Sequence, residues 1–336
     1  MKRFLALILF ALTLFAQVFP GSEWITADPK DQSMSGDGLQ VAKEKFEKSG
    51  GLAMMVIRNG YLIAAWGDVK RKFDTRSIRK SLLNSIIGIQ VSRGKIDLDR
   101  NLADLNISDR QVLNLQEKKA QIKNLLSSSS GIYLPASFEQ DVHIENKPER
   151  GSHQAGEFFY YNNWDFNVLG TIYIKQAGVD LFESFNQEIA KPLQMEDFDY
   201  RYDTAYLSQP ALSDHPAYLF IMSTRDLARF ALLYLNDGNW NGRQLIDKKW
   251  IIESSQTQIE TSDDYYYNYG YLWWVSKGKN NGRHAFLARG AQSQYLYIDP
   301  NTNLIIIFRD NPDATEHVQK RIAYPLIGDI YRSLKR

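Results

Sequence analysis

The chain has 336 residues, of which 44% are hydrophobic, 13% aromatic and 24% charged, so it is long enough for one large core or two interlocked subdomains. Its 40 basic and 39 acidic residues leave a net charge of +1, and without a long basic run nucleic acid is not an expected partner. The absence of cysteine excludes disulfides, a thiol nucleophile, thiolate-bound metal and a lipid anchor on cysteine.

The first residues have the pattern of an export signal. Lys2 and Arg3 precede an apolar run that ends at Pro20. This pattern predicts a signal peptide over residues 1–21, a mature domain over residues 22–336, and a periplasmic or extracellular location. The run is short for a membrane span, and an uncleaved leader is the only membrane contact that the sequence suggests.

The mature chain begins with a helix and a hairpin. Apolar residues at helical spacing predict a helix over residues 39–49, with Gly38 as its boundary. Two apolar runs, 52–57 and 61–66, flank Asn59-Gly60, and this dipeptide tolerates the positive φ angles of a tight turn. A β-hairpin is therefore predicted here.

The middle of the chain has mainly helical patterns and the end has strand patterns. Helical spacing predicts helices at 77–92, 223–235 and 247–255. Short apolar runs near the C-terminus predict strands at 284–288, 294–298 and 304–308, the last two joined by a turn at 300–303. A final helix is predicted over 316–334, and Pro325 should kink it or split it.

This order of elements predicts an α+β fold. Strands from both chain ends should form one antiparallel sheet flanked by helices, with a mainly helical subdomain inserted between them. The sheet subdomain is expected at about residues 38–72 and 283–336, and the helical subdomain at about residues 77–280.

Ser77 and Lys80 are the first candidates for chemistry. Residues three apart share a helix face, so the lysine amine can approach the serine hydroxyl and, once desolvated, act as its base. The S-x-x-K spacing alone is weak, because it also occurs at 92–95 and 276–279. An N-capping serine beside a solvated lysine remains the alternative.

The surrounding residues resemble a known family. The stretch 77–99, reading SIRKSLLNSIIGIQVSRGKIDLD, resembles the active-site helix of β-lactamase-related serine hydrolases, in particular the esterase and 6-aminohexanoate-dimer hydrolase branch near the class C β-lactamases. Residues 125–131 resemble the family's downstream L-L-x-x-x-S-G turn. The resemblance implies a β-lactamase/transpeptidase-like fold and an acyl-enzyme on Ser77, with Lys80 as the base.

The second motif of this family is Y-x-N. Residues 156–170, reading GEFFYYNNWDFNVLG, resemble its G-x-x-F-x-Y-x-N segment and place Tyr161 and Asn163 at the motif positions. The register shifted by one, Tyr160 with Asn162, is the alternative that the spacing from the glycine disfavours. The resemblance implies that Tyr161 shares proton transfer with Lys80 and that Asn163 contacts the lysine and the substrate.

The third family motif, K-T-G or H-x-G on a strand, is altered in this chain. Ala291 stands where the family has Lys or His, and Ser293 stands where Gly is usual. The resemblance still implies substrate binding by Ser293 and Gln294, and an oxyanion hole from the backbone N–H groups of Ser77 and Gln294. The cation that helps to bind a penicillin carboxylate is absent, and Arg289 is a partial substitute or a surface residue.

The expected function is therefore hydrolysis of a small-molecule ester or amide. No cofactor or metal is implied, and the five histidines are scattered without the spacing of a ligand pair. Two alternatives remain: a non-catalytic binding protein of the same fold, and a true β-lactamase or D-alanyl-D-alanine peptidase. The sequence leaves the oligomeric state open.

Overall fold

The computed structural model of the protein describes residues 18–278, 283–310 and 320–335, except for the side chains of 320–322. The first 17 residues of the predicted leader lie outside these ranges, and so does the start of the predicted last helix, at 316–319. Within the described ranges, no helix is both long enough and apolar enough to cross a membrane.

The described residues form strands and α-helices in alternating groups along the chain. The strands are β1 (Ala53–Arg58), β2 (Tyr61–Gly67), β3 (Lys72–Asp74), β4 (Thr204–Leu207), β5 (Ala217–Ser223), β6 (Asn239–Trp240), β7 (Arg243–Gln244), β8 (Tyr267–Tyr269), β9 (Trp274–Ser276), β10 (Phe286–Gly290), β11 (Gln294–Asp299) and β12 (Leu304–Arg309). The helices are α1 (Gly36–Ser49), α2 (Ile78–Ser92), α3 (Ile122–Leu126), α4 (Asp141–Glu145), α5 (Asn163–Ala177), α6 (Leu181–Phe185), α7 (Thr224–Leu235), α8 (Lys248–Ser254) and α9 (Lys320–Arg332).

The main sheet contains strands from both ends of the chain. Its order is β2-β1-β12-β11-β10-β9-β8, and the neighbouring strands are antiparallel. Strand β1 pairs with β12, with Ala53 opposite Arg309. This topology confirms the predicted α+β class and the sheet built from the two chain ends.

Strands β8 and β9 lie within residues 77–280, the stretch assigned to the helical subdomain, yet they form one edge of the main sheet. Each has only three residues, which is too few for an alternating apolar pattern. A smaller sheet of order β3-β5-β4 lies apart from the main one and ends close to the start of α2.

Helices cover both faces of the main sheet. On one face, Phe46 of α1 packs edge-on against Phe308, and Tyr324 of α9 packs against Tyr295. On the other face, Tyr234 of α7 contacts Phe286. Helix α2 contacts α7 through the hydrogen bond from Tyr234 to Asn84 and is buried along most of its length, so this helix is fixed by core packing.

The predicted hairpin is confirmed, since Asn59 and Gly60 have φ angles of 53° and 84°. Gly38, in contrast, is not a boundary, because α1 begins two residues earlier, at Gly36. A Cβ at Gly38 would stand 2.9 Å from the Cβ of Ser333, so this glycine serves the close packing of α1 on the C-terminal segment.

The predicted helices in the middle of the chain are confirmed as α2, α7 and α8. Pro325 lies inside α9, which continues through it as one helix and does not split. Strand β10 begins and ends two residues later than predicted. Because of this shift, Gly290 stands at the end of the strand, where it closely approaches the turn before Ser77.

Candidate active site

Ser77 stands at the N-terminus of α2, directly after Arg76, whose backbone is left-handed with a φ of 51°. Ser77 is the N-cap residue, but its hydroxyl makes no capping hydrogen bond. Its Oγ lies 2.8 Å from Nζ of Lys80. The structure therefore brings together the two side chains that the spacing predicted, and capping does not account for the serine.

Lys80 is buried in an aromatic environment. Its Nζ lies 2.9 Å from Oη of Tyr161 and 4.6 Å from the ring centroids of both Tyr161 and Phe166. No carboxylate in the described part of the chain pairs with it. Burial lowers the pKa of Lys80 well below its ordinary value, and the charge of Arg79 lowers it further. The neutral amine is favoured, and a neutral amine can accept the Ser77 proton.

Tyr161 completes the group around Lys80. Burial raises the pKa of Tyr161, whereas its hydrogen bond with Ser77 and the charges of Arg79 and Arg289 lower it. Trp274 stacks on the Tyr161 ring with a centroid separation of 5.5 Å. The ring is held in place by this packing, and its hydroxyl contacts both Ser77 and Lys80.

The structure distinguishes the two registers of the Y-x-N segment. Tyr160 turns away from Lys80 and donates a hydrogen bond to the backbone carbonyl of His143. Asn162 is the N-cap of α5, where its side-chain oxygen accepts from the N–H of Trp164 at 3.1 Å. Tyr161 and the following Asn163 are thus the pair on the side of the nucleophile.

A cleft of about 160 Å³ opens beside Ser77, and Asn163 lines it. The Asn163 side chain makes no hydrogen bond to Lys80 or to any other side chain of the described ranges, in contrast to the expectation for this residue. Its amide is therefore available to a substrate in the cleft.

The end of β10 forms the opposite wall of the cleft. A Cβ at Gly290 would stand 2.7 Å from the carbonyl oxygen of Thr75 and 2.9 Å from the Cβ of Arg76. Only a glycine allows the strand to approach the turn before Ser77 so closely. Ala291 follows Gly290 and lines the cleft together with Ser77.

Gln294 and Ser293 are not brought to the cleft. Because β10 ends at Gly290, the chain turns over 291–293 and Gln294 begins β11 opposite Gly290. The Gln294 side chain is fully buried and accepts a hydrogen bond from Nε of Arg309 at 2.5 Å. Ser293 lies buried in the tight turn, with a φ of 56°.

The geometry offers a different second donor for an oxyanion. Ser77 and Ala291 both line the cleft, and neither backbone N–H donates to a residue within the described ranges. Two unpaired backbone N–H groups beside one cavity are candidates for stabilising a developing negative charge. Of the segment that the resemblance identified, Ala291 lines the cleft, whereas the predicted donor Gln294 does not.

Two polar connections hold the Tyr161 segment against the predicted turn at 125–131. Ser128 Oγ donates to the carbonyl of Tyr160 at 2.6 Å. Asp165 is fully buried, and its Oδ1 accepts hydrogen bonds from Ser130 at 2.5 Å and from Asn162 at 3.0 Å. Burial raises the pKa of Asp165 well above its ordinary value.

Sequence reasoning missed two residues of the cleft, Arg79 and His143. Arg79 is the second residue after the nucleophile, and its guanidinium lies over the ring of Tyr218, 5.3 Å from the centroid. His143 belongs to α4, and its ring centroid is 5.2 Å from that of Tyr161. No local pattern marks either residue, because each reaches the site through tertiary packing.

The other candidates lie elsewhere. Arg289 alternates with Gly290 along β10 and faces α9, where its Nη1 donates to the hydroxyl of Tyr324 at 3.2 Å. The second S-x-x-K copy begins at Ser92, the last residue of α2, whose hydroxyl donates back to the carbonyl of Ile89. The third copy ends at residue 279, outside the described residues. Among the described residues, no group of three or more His, Cys, Asp or Glu side chains could hold a metal ion.

The chain is similar to known proteins in sequence and in fold. A family model described as Beta-lactamase matches residues 40–323. The chain is 22% identical over 343 residues to Protein flp of Staphylococcus aureus (strain MW2), a match that covers 85% of this chain. The chain spans 66% of the length of that relative.

Solved structures share the fold at low identity. A Bacillus anthracis protein named as a 6-aminohexanoate-dimer hydrolase has a TM-score of 0.69 and 19% identity, and the match covers 94% of this chain and 87% of that one. The octameric penicillin-binding protein homologue from Pyrococcus abyssi has a TM-score of 0.66 and 18% identity, with 89% of this chain and 77% of that chain covered. These likenesses show a β-lactamase/transpeptidase-like fold.

Proposed function

This chain belongs to the Beta-lactamase family of serine hydrolases, whose model matches residues 40–323, and from that premise we propose that it hydrolyses an ester or amide bond through an acyl-enzyme on Ser77. The single observation that carries the proposal is the contact of Lys80 Nζ with both Ser77 Oγ and Tyr161 Oη, at 2.8 and 2.9 Å. A protein that only binds its ligand has no need for a buried amine beside an uncapped serine hydroxyl.

In the proposed acylation, neutral Lys80 accepts the hydroxyl proton of Ser77 while Ser77 Oγ forms a bond to the substrate carbonyl carbon. The resulting oxyanion accepts hydrogen bonds from the backbone N–H groups of Ser77 and Ala291. Collapse of this intermediate breaks the bond to the leaving group, which takes a proton from Tyr161. Lys80 returns its proton to Tyr161, 2.9 Å away.

Deacylation uses the same groups in reverse. A water molecule attacks the acyl carbon and gives its proton to the Tyr161–Lys80 pair, and Ser77 Oγ regains a proton as the acyl bond breaks. The Asn163 amide, which lines the cleft, is suited to hold the acyl portion of the substrate during both steps.

Labelling with a fluorophosphonate probe tests the nucleophile. The folded wild-type protein should be labelled at Ser77, and Ser77→Ala should lose both labelling and turnover in a panel of p-nitrophenyl esters, short amides and a chromogenic cephalosporin. Ser92→Ala is the matched control, since Ser92 starts another S-x-x-K copy at the opposite end of the same helix. An unlabelled wild-type protein would favour the non-catalytic alternative, and rapid cephalosporin turnover would favour a true β-lactamase.

We also propose that the protein is exported, with support from Lys2, Arg3 and the apolar run that follows them. Cell fractionation combined with N-terminal sequencing of the isolated protein tests this proposal, and a cytoplasmic protein with an intact N-terminus would contradict it.

A further inference from the structure

Arg79 is a cation on the wall of the cleft and has no anionic partner among the described residues. Its guanidinium packs over the ring of Tyr218 and donates to the carbonyl of Arg76 at 3.3 Å. Within the described part of the chain it forms no ion pair, and its Nε is buried without a hydrogen-bond partner. A ligand in the cleft can reach the outer end of the guanidinium, since Nη2 is not among the buried atoms and donates to no described residue.

The other charges of the cleft do not neutralise Arg79. Asp74 is the carboxylate that lines the cleft, and it already forms an ion pair with Arg76 at 2.9 Å. His143 contributes an imidazole and Tyr218 a phenol. The cleft beside the nucleophile is therefore electropositive at Arg79, and the chemical group that complements it is an anion.

The anion that fits is a carboxylate of the substrate itself. The cleft holds about 160 Å³, room for a short chain and a small polar head. A planar guanidinium binds a carboxylate through paired N–H donors, which also fixes its orientation. Ala291 lines the same cleft, and its small side chain leaves room between the two walls.

We infer that the substrate of Ser77 carries a carboxylate and that Arg79 binds it. This inference rests on the proposed function, because the bound carboxylate is that of the ester or amide that acylates Ser77. Arg79 is thus a specificity-determining residue that holds the substrate and takes no part in bond making or breaking.

Two esters that differ only in charge test the inference. The anionic ester is mono-p-nitrophenyl glutarate, and the neutral ester is its methyl-capped analogue, methyl p-nitrophenyl glutarate. Arg79 also lowers the pKa values of Lys80 and Tyr161, so a change at Arg79 alters the turnover of both esters. The ratio of their kcat/KM values cancels this shared effect and isolates the contact with the carboxylate.

The wild-type protein should prefer the anionic ester by about 10- to 100-fold, the range expected of one hydrogen-bonded charge pair. Arg79→Gln should bring the ratio close to one. Arg79→Lys should retain part of the preference, because it keeps the charge without the paired donors. Arg93→Gln is the matched control, since Arg93 caps the other end of α2, pairs with Glu188 and should leave the ratio unchanged. A wild-type ratio near one, or a ratio that Arg79→Gln does not change, would overturn the inference.

A binding experiment separates this inference from the proposed function. Glutarate binding to Ser77→Ala, measured by titration calorimetry, should weaken at least tenfold when Arg79→Gln is added. Equal glutarate affinity in the two proteins, or no binding to either, would refute the carboxylate site even if esters were hydrolysed. If neither ester is hydrolysed and Ser77 is not labelled, the proposed function fails, and the glutarate titration still decides the site.

Discussion

Replacing Lys80 by methionine should have two separable effects. It should lower turnover because the base is lost, and it should change the free energy of unfolding because a buried amine is removed. The variant keeps most of the apolar volume of the side chain and removes the amine. Turnover should fall by about 10²- to 10⁴-fold, the usual contribution of a general base. The two hydrogen bonds lost at Nζ, to Ser77 and Tyr161, should each lower the free energy of unfolding by about 1 kcal/mol at every pH.

A second effect on stability depends on pH. The pKa of Lys80 is lower in the folded protein than in the unfolded chain, so between these two values the unfolded chain binds one more proton. The free energy of unfolding of the wild type therefore rises with pH in that range, by about 1.4 kcal/mol per pH unit. Below the folded-state pKa, the loss of stability caused by burying the Lys80 amine is complete. Lys80→Met has no titratable amine at this position and therefore lacks this pH-dependent loss of stability.

Urea unfolding at pH 8 and pH 9, followed by tryptophan fluorescence, measures this effect. The free energy of unfolding of Lys80→Met minus that of the wild type should decrease by about 1.4 kcal/mol between the two pH values. Lys43→Met controls for the loss of charge, because the Lys43 side chain is 44% exposed. A difference that does not change with pH would mean that Lys80 keeps its proton in the folded protein and is not the base.

Three further substitutions test other parts of the site. Gly290→Ala should reduce kcat at least tenfold, because its Cβ would force the end of β10 away from Thr75. Gly36→Ala is the control, since Gly36 has open space around it and its substitution should not reduce kcat. Equal kcat values for the two variants would contradict the close approach of β10 to Thr75. Tyr161→Phe should lower kcat about 100-fold and Tyr160→Phe only slightly, and the reverse order would restore the shifted register. Burial raises the pKa of Asp165, so the folded protein keeps a proton that the unfolded chain releases and wild-type stability falls as pH rises from 4 to 6. The free energy of unfolding of Asp165→Asn minus that of the wild type should therefore rise by about 1.4 kcal/mol per pH unit in denaturation experiments at pH 4, 5 and 6. A difference that stays constant over this range would show that Asp165 ionises normally.

The features that the sequence predicted correctly depend on neighbours along the chain. The Asn59-Gly60 turn follows from backbone preferences of two residues, and the Ser77–Lys80 contact follows from helical geometry over one turn. The choice of Tyr161 over Tyr160 came from spacing within a motif, and the contact with Lys80 agrees with it.

The features that the sequence missed depend on distant parts of the chain. The resemblance identified the segment around residue 291, but the end of β10 is set by its pairing with β11, and so Ala291 and not Gln294 lines the cleft. The sequence assigned no role to Arg79, and its position in the cleft depends on its packing against Tyr218 of β5. His143 contacts Tyr161 from α4, a five-residue helix whose sequence has no recognisable motif.

The pairing of β1 with β12 makes assembly of the site an all-or-none event. Met54, near the start of the chain, lies opposite Phe308, near its end, and the strand that carries Gly290 reaches the sheet core only through β11 and β12. A growing chain cannot complete this sheet until β12 has been made, and closure over so long a loop is expected to be slow. A truncation before β12 would keep every side chain proposed for catalysis, yet it would leave Ser77 without the wall that faces it.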